Sequence, residues 1–372
     1  MPALIAASSI QTCLGSGSDT FAALLRGDNG AAPLRYGDPG QLNVTVGYHV
    51  PDATRRPLTA ATLLRNCVER AIRQAHIDPM RQRVVAIVGT GLRELATIEQ
   101  WALTAASAHA RDLHLRDAVR EVAPGISEVI TLSNACSAGG HALALAQDLI
   151  ELGEADAVLA CGVDAMTMSM LAMIGKVTPE PTPLVRPFDK SRSGVLLGEG
   201  AAVAVVVAES STGPAQARLA STGLSCDAHH ETAPDVNGIT RAMSEALQRA
   251  GRRPADVDLV VAHGTGTALN DPAECDAIHR VLLSAGADPA VTAVKGALGH
   301  TSGSAALVNV DVAIRCMKAS TVPAVVGLND PITESSGLRL VRASLTDIPI
   351  RLAQINAFGF GGVNAVTLLE AL

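Results

Sequence analysis

The sequence predicts an α/β fold in which strands and helices alternate along the chain. Short apolar runs typical of strands are separated by longer Ala- and Leu-rich segments whose apolar residues recur at helical spacing. Glycine is abundant, with 33 residues, which suits tightly packed layers of helices and sheets. Hydrophobic residues make up 48% of the 372. We therefore expect most of the chain to pack inside a globular protein.

The predicted strands and helices follow one another in a repeated order. The strands are Ala3–Ser9, Val84–Val88, Glu128–Leu132, Ala157–Cys161, Ala201–Ala208, Leu219–Cys226, Leu259–Ala262, Thr292–Val294, Leu338–Val341, Ala353–Ala357 and Ala365–Leu369. The helices include Ala138–Leu152, Ile239–Ala250, Ala273–Leu283 and Gly303–Lys318. The repeat, with a turn-rich segment at Glu209–Pro214, predicts two similar halves, 1–212 and 213–372, and a cleft between them where an active site could form.

Charge and composition argue against several classes of protein. The formal net charge is −7 and no block of Lys and Arg is present, which argues against a nucleic-acid binder. No apolar run reaches the roughly 18 residues of a membrane span, and the N-terminus lacks the pattern of a signal peptide, so we expect a cytoplasmic protein. The seven cysteines are scattered and never in C-x-x-C spacing, so we expect neither a disulfide framework nor a metal site.

Cys136 lies where a predicted strand turns into a predicted helix. The segment Val129–Gly140 surrounds it with small residues that leave room for a substrate. The free N–H groups at the start of a helix favour a thiolate over a thiol and can bind an oxyanion. On this segment alone, a buried structural cysteine explains the pattern equally well.

Two histidines and a lysine follow later strands. His263 comes directly after an apolar run, in a turn rich in Gly and Thr, and Lys295 and His300 come after the next run. A thiol and two imidazoles at the ends of strands are what a thiolate enzyme needs, provided that those ends converge. Each histidine taken alone could equally stabilise a loop.

Several segments together point to one family. They are Asn134–Gly139, Arg186–Gly194, Gly198–Ala201, His263–Thr267, Lys295–His300 and Asn356–Asn364. In order and approximate spacing they resemble the active-site segments of β-ketoacyl-acyl-carrier-protein synthases. The resemblance covers nearly the whole chain and implies a thiolase fold, a duplicated five-layered αβαβα architecture, normally found as a dimer.

The resemblance also implies a reaction, the decarboxylative Claisen condensation of an acyl thioester with malonyl-acyl carrier protein. In that reaction Cys136 would carry the acyl group, and its backbone N–H and that of Phe360 would form the oxyanion hole. His263 and His300 would act on the malonyl unit, with Lys295 supplying positive charge. Phe360 resembles the phenylalanine that gates the acyl pocket.

The expected carrier of the substrate is the phosphopantetheine arm of an acyl carrier protein, with no permanently bound cofactor. Thr265 and Thr267 resemble residues that hold this arm, and Thr232, in the stretch 227–234, is a further candidate. An acidic carrier protein needs a basic patch. The candidates for that patch are Arg55, Arg56 and Arg192.

The chain departs from the family pattern at two places. Asn309 stands where the family usually carries a glutamate near the lysine and a structural cation, which puts that cation in doubt. The Lys295–His300 variant, together with Asn270, Asp271 and Glu274 after the His263 turn, resembles specialised type II synthases of polyketide or polyene pathways. Such synthases often pair with a chain-length-factor homologue, so the partner is expected to be a second copy or such a homologue.

Two other functions stay open at this point. One is a non-condensing acyltransferase that uses Cys136 to move an acyl group onto an alcohol, an amine or water. The other is a non-catalytic ketosynthase partner or scaffold, although such partners typically lack the cysteine that this chain retains.

Overall fold

The computed structural model describes residues 2–51, 59–105, 107 and 109–372. The strands are β1 Ala3–Thr12, β2 Gly15–Ser16, β3 Ala32–Pro33, β4 Val46–Gly47, β5 Val84–Gly89, β6 Glu128–Leu132, β7 Ala157–Asp164, β8 Gly200–Ala208, β9 Ala217–Cys226, β10 Leu259–Val261, β11 Ala290–Thr292, β12 Arg339–Leu340, β13 Leu352–Gly359 and β14 Val363–Glu370. The helices are α1 Gly17–Arg26, α2 Pro39–Leu42, α3 Ala60–Ala75, α4 Leu95–Thr104, α5 Arg116–Val122, α6 Ala138–Glu151, α7 Met168–Gly175, α8 Val236–Ala250, α9 Asn270–Val281, α10 Lys295–Leu298 and α11 Ala305–Ala319.

The strands repeat one pairing pattern in the two halves of the chain. In the first half the order is β1-β8-β7-β5-β6, and in the second it is β9-β14-β13-β10-β11, followed by β12. In both, the first two pairings are antiparallel and the next two are parallel. The halves join through a short antiparallel pairing of Ala3–Ile5 with Ala217–Leu219. This repeat confirms the predicted α/β class, while the boundary at residues 212 and 213 stays a prediction.

Helices cover both faces of these strands and give five layers. Two helices, α6 and α11, pack against each other and contact strands of both halves, so they form the central layer. On one outer face α3 packs on β1, β8 and β7, and on the other α8 packs on β9 and β14. Three separate hydrophobic cores fill the spaces between the layers.

The central layer explains the composition of α6 and α11. Both helices are rich in small apolar residues, and every residue of α11 from Ala305 to Ile314 is buried. A helix that meets protein on all sides is apolar around its circumference. The first residues of α6, just after Cys136, are buried, so the N-terminus of the helix lies away from bulk water.

One predicted strand is shifted. The sequence predicts Thr292–Val294, but β11 spans Ala290–Thr292. Ala293 and Val294 are buried, at 1% and 4% exposed, yet they have left the sheet and lead into α10. The apolar run therefore continues past the last strand pairing, which hydrophobicity alone does not reveal. None of the helices in the described part of the chain is long and apolar enough to cross a bilayer.

Candidate active site

Cys136 lies in a single turn of 3-10 helix, Ala135–Ser137, that leads from β6 into α6. Ala135 has a φ of 50°, a left-handed conformation that is uncommon for a residue with a Cβ. The hydroxyl of Ser137 donates to the carbonyl of Asn134 at 3.0 Å and closes the turn. The thiol is buried, with the residue 8% exposed.

Two backbone N–H groups reach the sulfur of Cys136. One is its own and the other belongs to Phe360, which lies in the turn between β13 and β14. Two N–H donors at one point can bind the negative oxygen of a tetrahedral intermediate. Phe360 itself is 46% exposed, so its side chain lies at the surface rather than in the core.

Glu274 holds the His263 turn from below. Its carboxylate accepts the backbone N–H of His263 at 2.7 Å and that of Gly264 at 2.8 Å. It also accepts the side-chain amide of Asn356 at 2.9 Å. Gly264 has a φ of 42°, the left-handed region, and a Cβ there would lie 2.7 Å from that of Ala293. The turn that presents His263 therefore depends on a glycine and a buried carboxylate.

Lys295 bridges the two later segments of the site. Its ammonium group donates to the backbone carbonyl of His263 and lies 3.4 Å from Nδ1 of the same residue. Lys295 is 2% exposed. Burial lowers the pKa of Lys295 to about 8, while the negative charge of Glu274 opposes that change. The ammonium form therefore predominates at neutral pH.

The imidazoles of His263 and His300 lie edge to face, with ring centroids 5.5 Å apart. Both rings are buried, and within the described residues Nδ1 of His300 has no hydrogen-bond partner. The backbone of His300 is fixed by bonds to Leu196 and Gly198. Burial, with the nearby charge of Lys295, holds the pKa of both imidazoles well below the usual range, so both rings are neutral at neutral pH.

The thiol is also uncharged in the resting site. Burial raises the pKa of Cys136 to about 11, and the positive charge of Lys295 only partly opposes this effect. The structure thus buries a thiol, two neutral imidazoles and an ammonium group, and the charge of Lys295 acts on the thiol and on both imidazoles. Such a set can exchange a proton between sulfur and imidazole and can donate N–H groups to a developing oxyanion.

Three acidic residues around the site were assigned no contact in it from the sequence. Glu274 and Asp271 lie one helical turn apart on α9, and both bond to the His263 turn. Asp271 accepts the N–H of Gly266 in that turn at 3.1 Å and the N–H of Phe188 at 2.7 Å. Asp164 ends β7 near the nucleophile.

The remaining predicted residues lie at the edge of this pocket or beyond it. The hydroxyls of Thr265 and Thr267 are 2.9 Å apart, and Thr265 is buried. Thr232 is exposed, in a loop whose Glu231 carbonyl accepts the N–H of Gly361, beside Phe360. This places Thr232 near the mouth of the site.

Of the three arginines predicted to bind the carrier protein, the structure describes one. Arg192 is half-buried, and its guanidinium donates to the carbonyls of Thr267 at 3.1 Å and Asp189 at 3.2 Å. It therefore supports the wall of the site as well as carrying charge. Arg55 and Arg56 lie outside the described residues.

Asn309 turns its side-chain amide toward the His263 turn. The amide nitrogen donates to the carbonyl of Ala262 at 3.4 Å, and Asn309 lines a narrow crevice beside Lys295. In the described part of the chain no group of three His, Cys, Asp or Glu side chains could hold a metal ion.

The five layers and the thiol–imidazole site define a thiolase-fold condensing-enzyme architecture, and comparisons with known proteins agree. The family model for the β-ketoacyl synthase N-terminal domain matches residues 52–212, and the model for the C-terminal domain matches residues 216–329. The chain belongs to the β-ketoacyl synthase family.

Two curated proteins are similar to this chain in sequence. The chain is 35% identical to nodulation protein E of Rhizobium meliloti over 64% of this chain and 60% of that protein. It thus spans about three fifths of the length of that relative. It is 27% identical to 3-oxoacyl-[acyl-carrier-protein] synthase 2 of Coxiella burnetii over 95% of this chain and 94% of that protein.

Solved structures share the fold over the whole chain. The ishigamide ketosynthase/chain length factor superposes with a TM-score of 0.88 at 27% identity, covering 100% of this chain and 99% of that one. A type II ketosynthase in complex with its acyl-carrier protein, AntDE:AntF, gives a TM-score of 0.89 at 20% identity, with the same coverage of both chains. The second likeness shows the fold alone.

Proposed function

We propose that this chain is a β-ketoacyl-acyl-carrier-protein synthase, which joins an acyl group held on Cys136 to a malonyl thioester with loss of carbon dioxide. The observation that supports the proposal is a buried Lys295 whose charge acts on the thiol of Cys136 and on two neutral imidazoles that lie edge to face. Membership of the family supports the reaction class.

The first half-reaction loads the acyl group. The thiol of Cys136 gives its proton to a neutral imidazole, and the sulfur attacks the thioester carbonyl of the incoming acyl carrier. The N–H groups of Cys136 and Phe360 receive the oxyanion. The tetrahedral intermediate collapses, the carrier thiolate leaves with that proton, and a new thioester on Cys136 remains.

The second half-reaction forms the carbon–carbon bond. The malonyl carboxylate leaves as carbon dioxide, and its bonding electrons become an enolate whose oxygen accepts N–H groups from His263 and His300. Neutral rings suit this step because each carries one N–H donor without a full charge. The enolate carbon attacks the acyl carbonyl, the C–S bond breaks, and the thiolate of Cys136 takes up a proton.

Lys295 and Glu274 support these steps through their charges and hydrogen bonds. Lys295 is bonded to His263 and carries a positive charge that favours a thiolate at Cys136. Glu274 offsets that charge and anchors the turn. The nearby carboxylate charge therefore offsets part of the cost of burying a cation.

The expected partners are an acyl carrier protein and a second ketosynthase-like chain. The residues proposed to hold the phosphopantetheine arm are Thr265, Thr267 and Thr232. The bond from Gly361 to the loop of Thr232, beside Phe360, supports this for Thr232. The edge strand β6 is paired on one side only among the described strands, and its side chains are only half-buried from Val129 to Leu132. An uncovered strand edge favours pairing with another chain, either a second copy or a chain-length-factor homologue.

The test is a reconstituted condensation. Acyl- and malonyl-carrier protein are incubated with the purified protein, and carbon dioxide and the 3-oxoacyl product are measured. We expect both with the wild type and neither with Cys136→Ala. Product formation from the acyl carrier alone, persisting in His263→Ala, would instead identify a non-condensing acyltransferase.

A further inference from the structure

Asp164, the last residue of β7, is a buried carboxylate that lies beside the nucleophile and has no role in the steps above. It is 1% exposed and accepts four hydrogen bonds. Oδ1 accepts the hydroxyl of Thr90 at 2.7 Å and the N–H of Leu92 at 2.9 Å, and Oδ2 accepts the N–H groups of Gly91 at 2.8 Å and Gly303 at 2.7 Å. These bonds use four acceptor positions of the carboxylate.

The four donors come from two segments that are far apart in the sequence. Thr90, Gly91 and Leu92 belong to the turn that follows β5. Gly303 belongs to a 3-10 turn, Ser302–Ser304, that begins two residues after His300. One side chain therefore ties the first half of the chain to the segment that carries the second catalytic imidazole.

Both segments press against the turn that carries Cys136. A Cβ on Gly91 would lie 4.0 Å from the carbonyl carbon of Ala135, the residue before the nucleophile. A Cβ on Gly139, three residues after it, would lie 2.9 Å from the carbonyl oxygen of Gly303. The nucleophile turn is thus held between the two segments that Asp164 joins.

The backbone on the His300 side of this contact is strained. Ser302 has a φ of 47°, the left-handed region, although it carries a Cβ. Such a conformation persists only where the surroundings hold it in place. The bond from the next residue, Gly303, to Asp164 is one of the contacts that hold it.

We propose that Asp164 is a positioning residue whose carboxylate holds the His300 turn against the Cys136 turn and so sets the separation of imidazole and thiol. The inference rests on the proposed function, because that separation matters only for a reaction that uses both groups. A displacement of about 1 Å between reacting groups can lower a rate about 100-fold.

The charge of Asp164 has a second effect on the same site. Its carboxylate raises the pKa of Cys136, in opposition to Lys295, and it also raises the pKa of the buried Glu94 on the neighbouring turn. Burial raises the pKa of Asp164 itself to about 6, so it is mainly ionised at neutral pH. Removal of this charge should therefore make the thiol easier to ionise even as the geometry is lost.

The test compares Asp164→Asn with two other variants. An amide supplies one oxygen in place of two and turns N–H groups toward the remaining donors. Thr90→Val removes one donor and keeps the carboxylate charge. Asp156→Asn is the matched control, since Asp156 lies just before β7, is exposed and also accepts a backbone N–H, that of Arg83 at 2.7 Å.

Three quantities are measured for each variant: kcat and KM for condensation, the pH midpoint of iodoacetamide alkylation of the Cys136 peptide, and the thermal midpoint. For Asp164→Asn we expect kcat to fall about 100-fold with KM for the malonyl carrier within about twofold, and the alkylation midpoint to move to lower pH. Thr90→Val should lower kcat about 5- to 10-fold without lowering that midpoint. Asp156→Asn should match the wild type.

Two results would overturn the proposal. One is an alkylation midpoint in Asp164→Asn equal to that of the wild type, with activity lost only in proportion to folded protein, which would make the residue purely structural. If Asp164→Asn does not fold, Thr90→Val decides, and a kcat within twofold of the wild type counts against the proposal. A wild type that does not condense, alongside a shifted midpoint in Asp164→Asn, would refute the proposed function and leave the contact between Asp164 and the thiol intact.

Discussion

Replacement of Glu274 by Gln tests whether the His263 turn is held by a carboxylate. The two oxygens of Glu274 accept separate backbone N–H groups, from His263 and Gly264, at 2.7 and 2.8 Å. Gln offers one oxygen, so one of these buried donors loses its acceptor, which costs about 1–3 kcal/mol. The change also removes the negative charge that supports the ammonium form of Lys295.

The expected result follows from these two losses. The free energy of unfolding should fall by about 2 kcal/mol, because one buried N–H is left unsatisfied. If the same loss is felt in the transition state, kcat should fall about 10- to 100-fold. Condensation kinetics and denaturant unfolding measure the two quantities. Without the negative charge of Glu274, the pKa of Lys295 should move further below about 8.

A matched control is Glu245→Gln on α8. Its carboxylate also accepts a backbone N–H, that of Leu224 at 3.1 Å, but this contact lies away from the active site and is partly solvated. We expect little change in kcat there. A Glu274→Gln variant with the unfolding energy and kcat of the wild type would show that the carboxylate does not hold the turn.

Three further predictions concern the thiol, the second imidazole and the helix start. Because the pKa of Cys136 is raised to about 11, its alkylation rate should rise about tenfold per pH unit from pH 7 to 10. Lys295→Met should slow alkylation throughout that range. A plateau near pH 8 in the wild type would contradict this prediction. His300→Ala should retain acyl loading on Cys136 but lose carbon dioxide release at least 100-fold, measured by intact mass and trapped gas, whereas equal loss of both would assign His300 to loading. Gly139→Ala should lower the free energy of unfolding by about 1–3 kcal/mol, since its Cβ would lie 2.9 Å from the carbonyl of Gly303; an unchanged thermal midpoint would show that the turn yields.

The residues that local sequence could reveal share one feature. Cys136, His263 and Lys295 each follow an apolar run and lie among glycines and small polar residues, so their surroundings differ from those of a core position. The fold class followed from the alternation of strands and helices, and the sheet order confirms it. The convergence of the three segments was an assumption that only the fold could test. The rings of His263 and His300 bring two of the segments together, and the charge of Lys295 acts on the thiol of the third.

The residues that sequence did not reveal act through long-range contacts. The role of Asp164 depends on hydrogen-bond donors that lie 72–74 positions earlier in the chain and 139 positions later. Glu274 bonds Asn356 across 82 positions. An isolated acidic residue in an apolar stretch gives no direction to its partners, so neither could be assigned a contact before the fold was known.

An acyl pulse followed by a malonyl chase tests whether one thiol and two imidazoles carry out both loading and condensation. The protein is loaded from an acyl carrier protein, the acyl group is located on the Cys136 peptide by mass spectrometry, and malonyl carrier protein is then added. We expect the adduct to disappear only after this addition, at the rate at which 3-oxoacyl carrier protein forms. An adduct that persists, or that decays equally fast without the malonyl carrier, would contradict it.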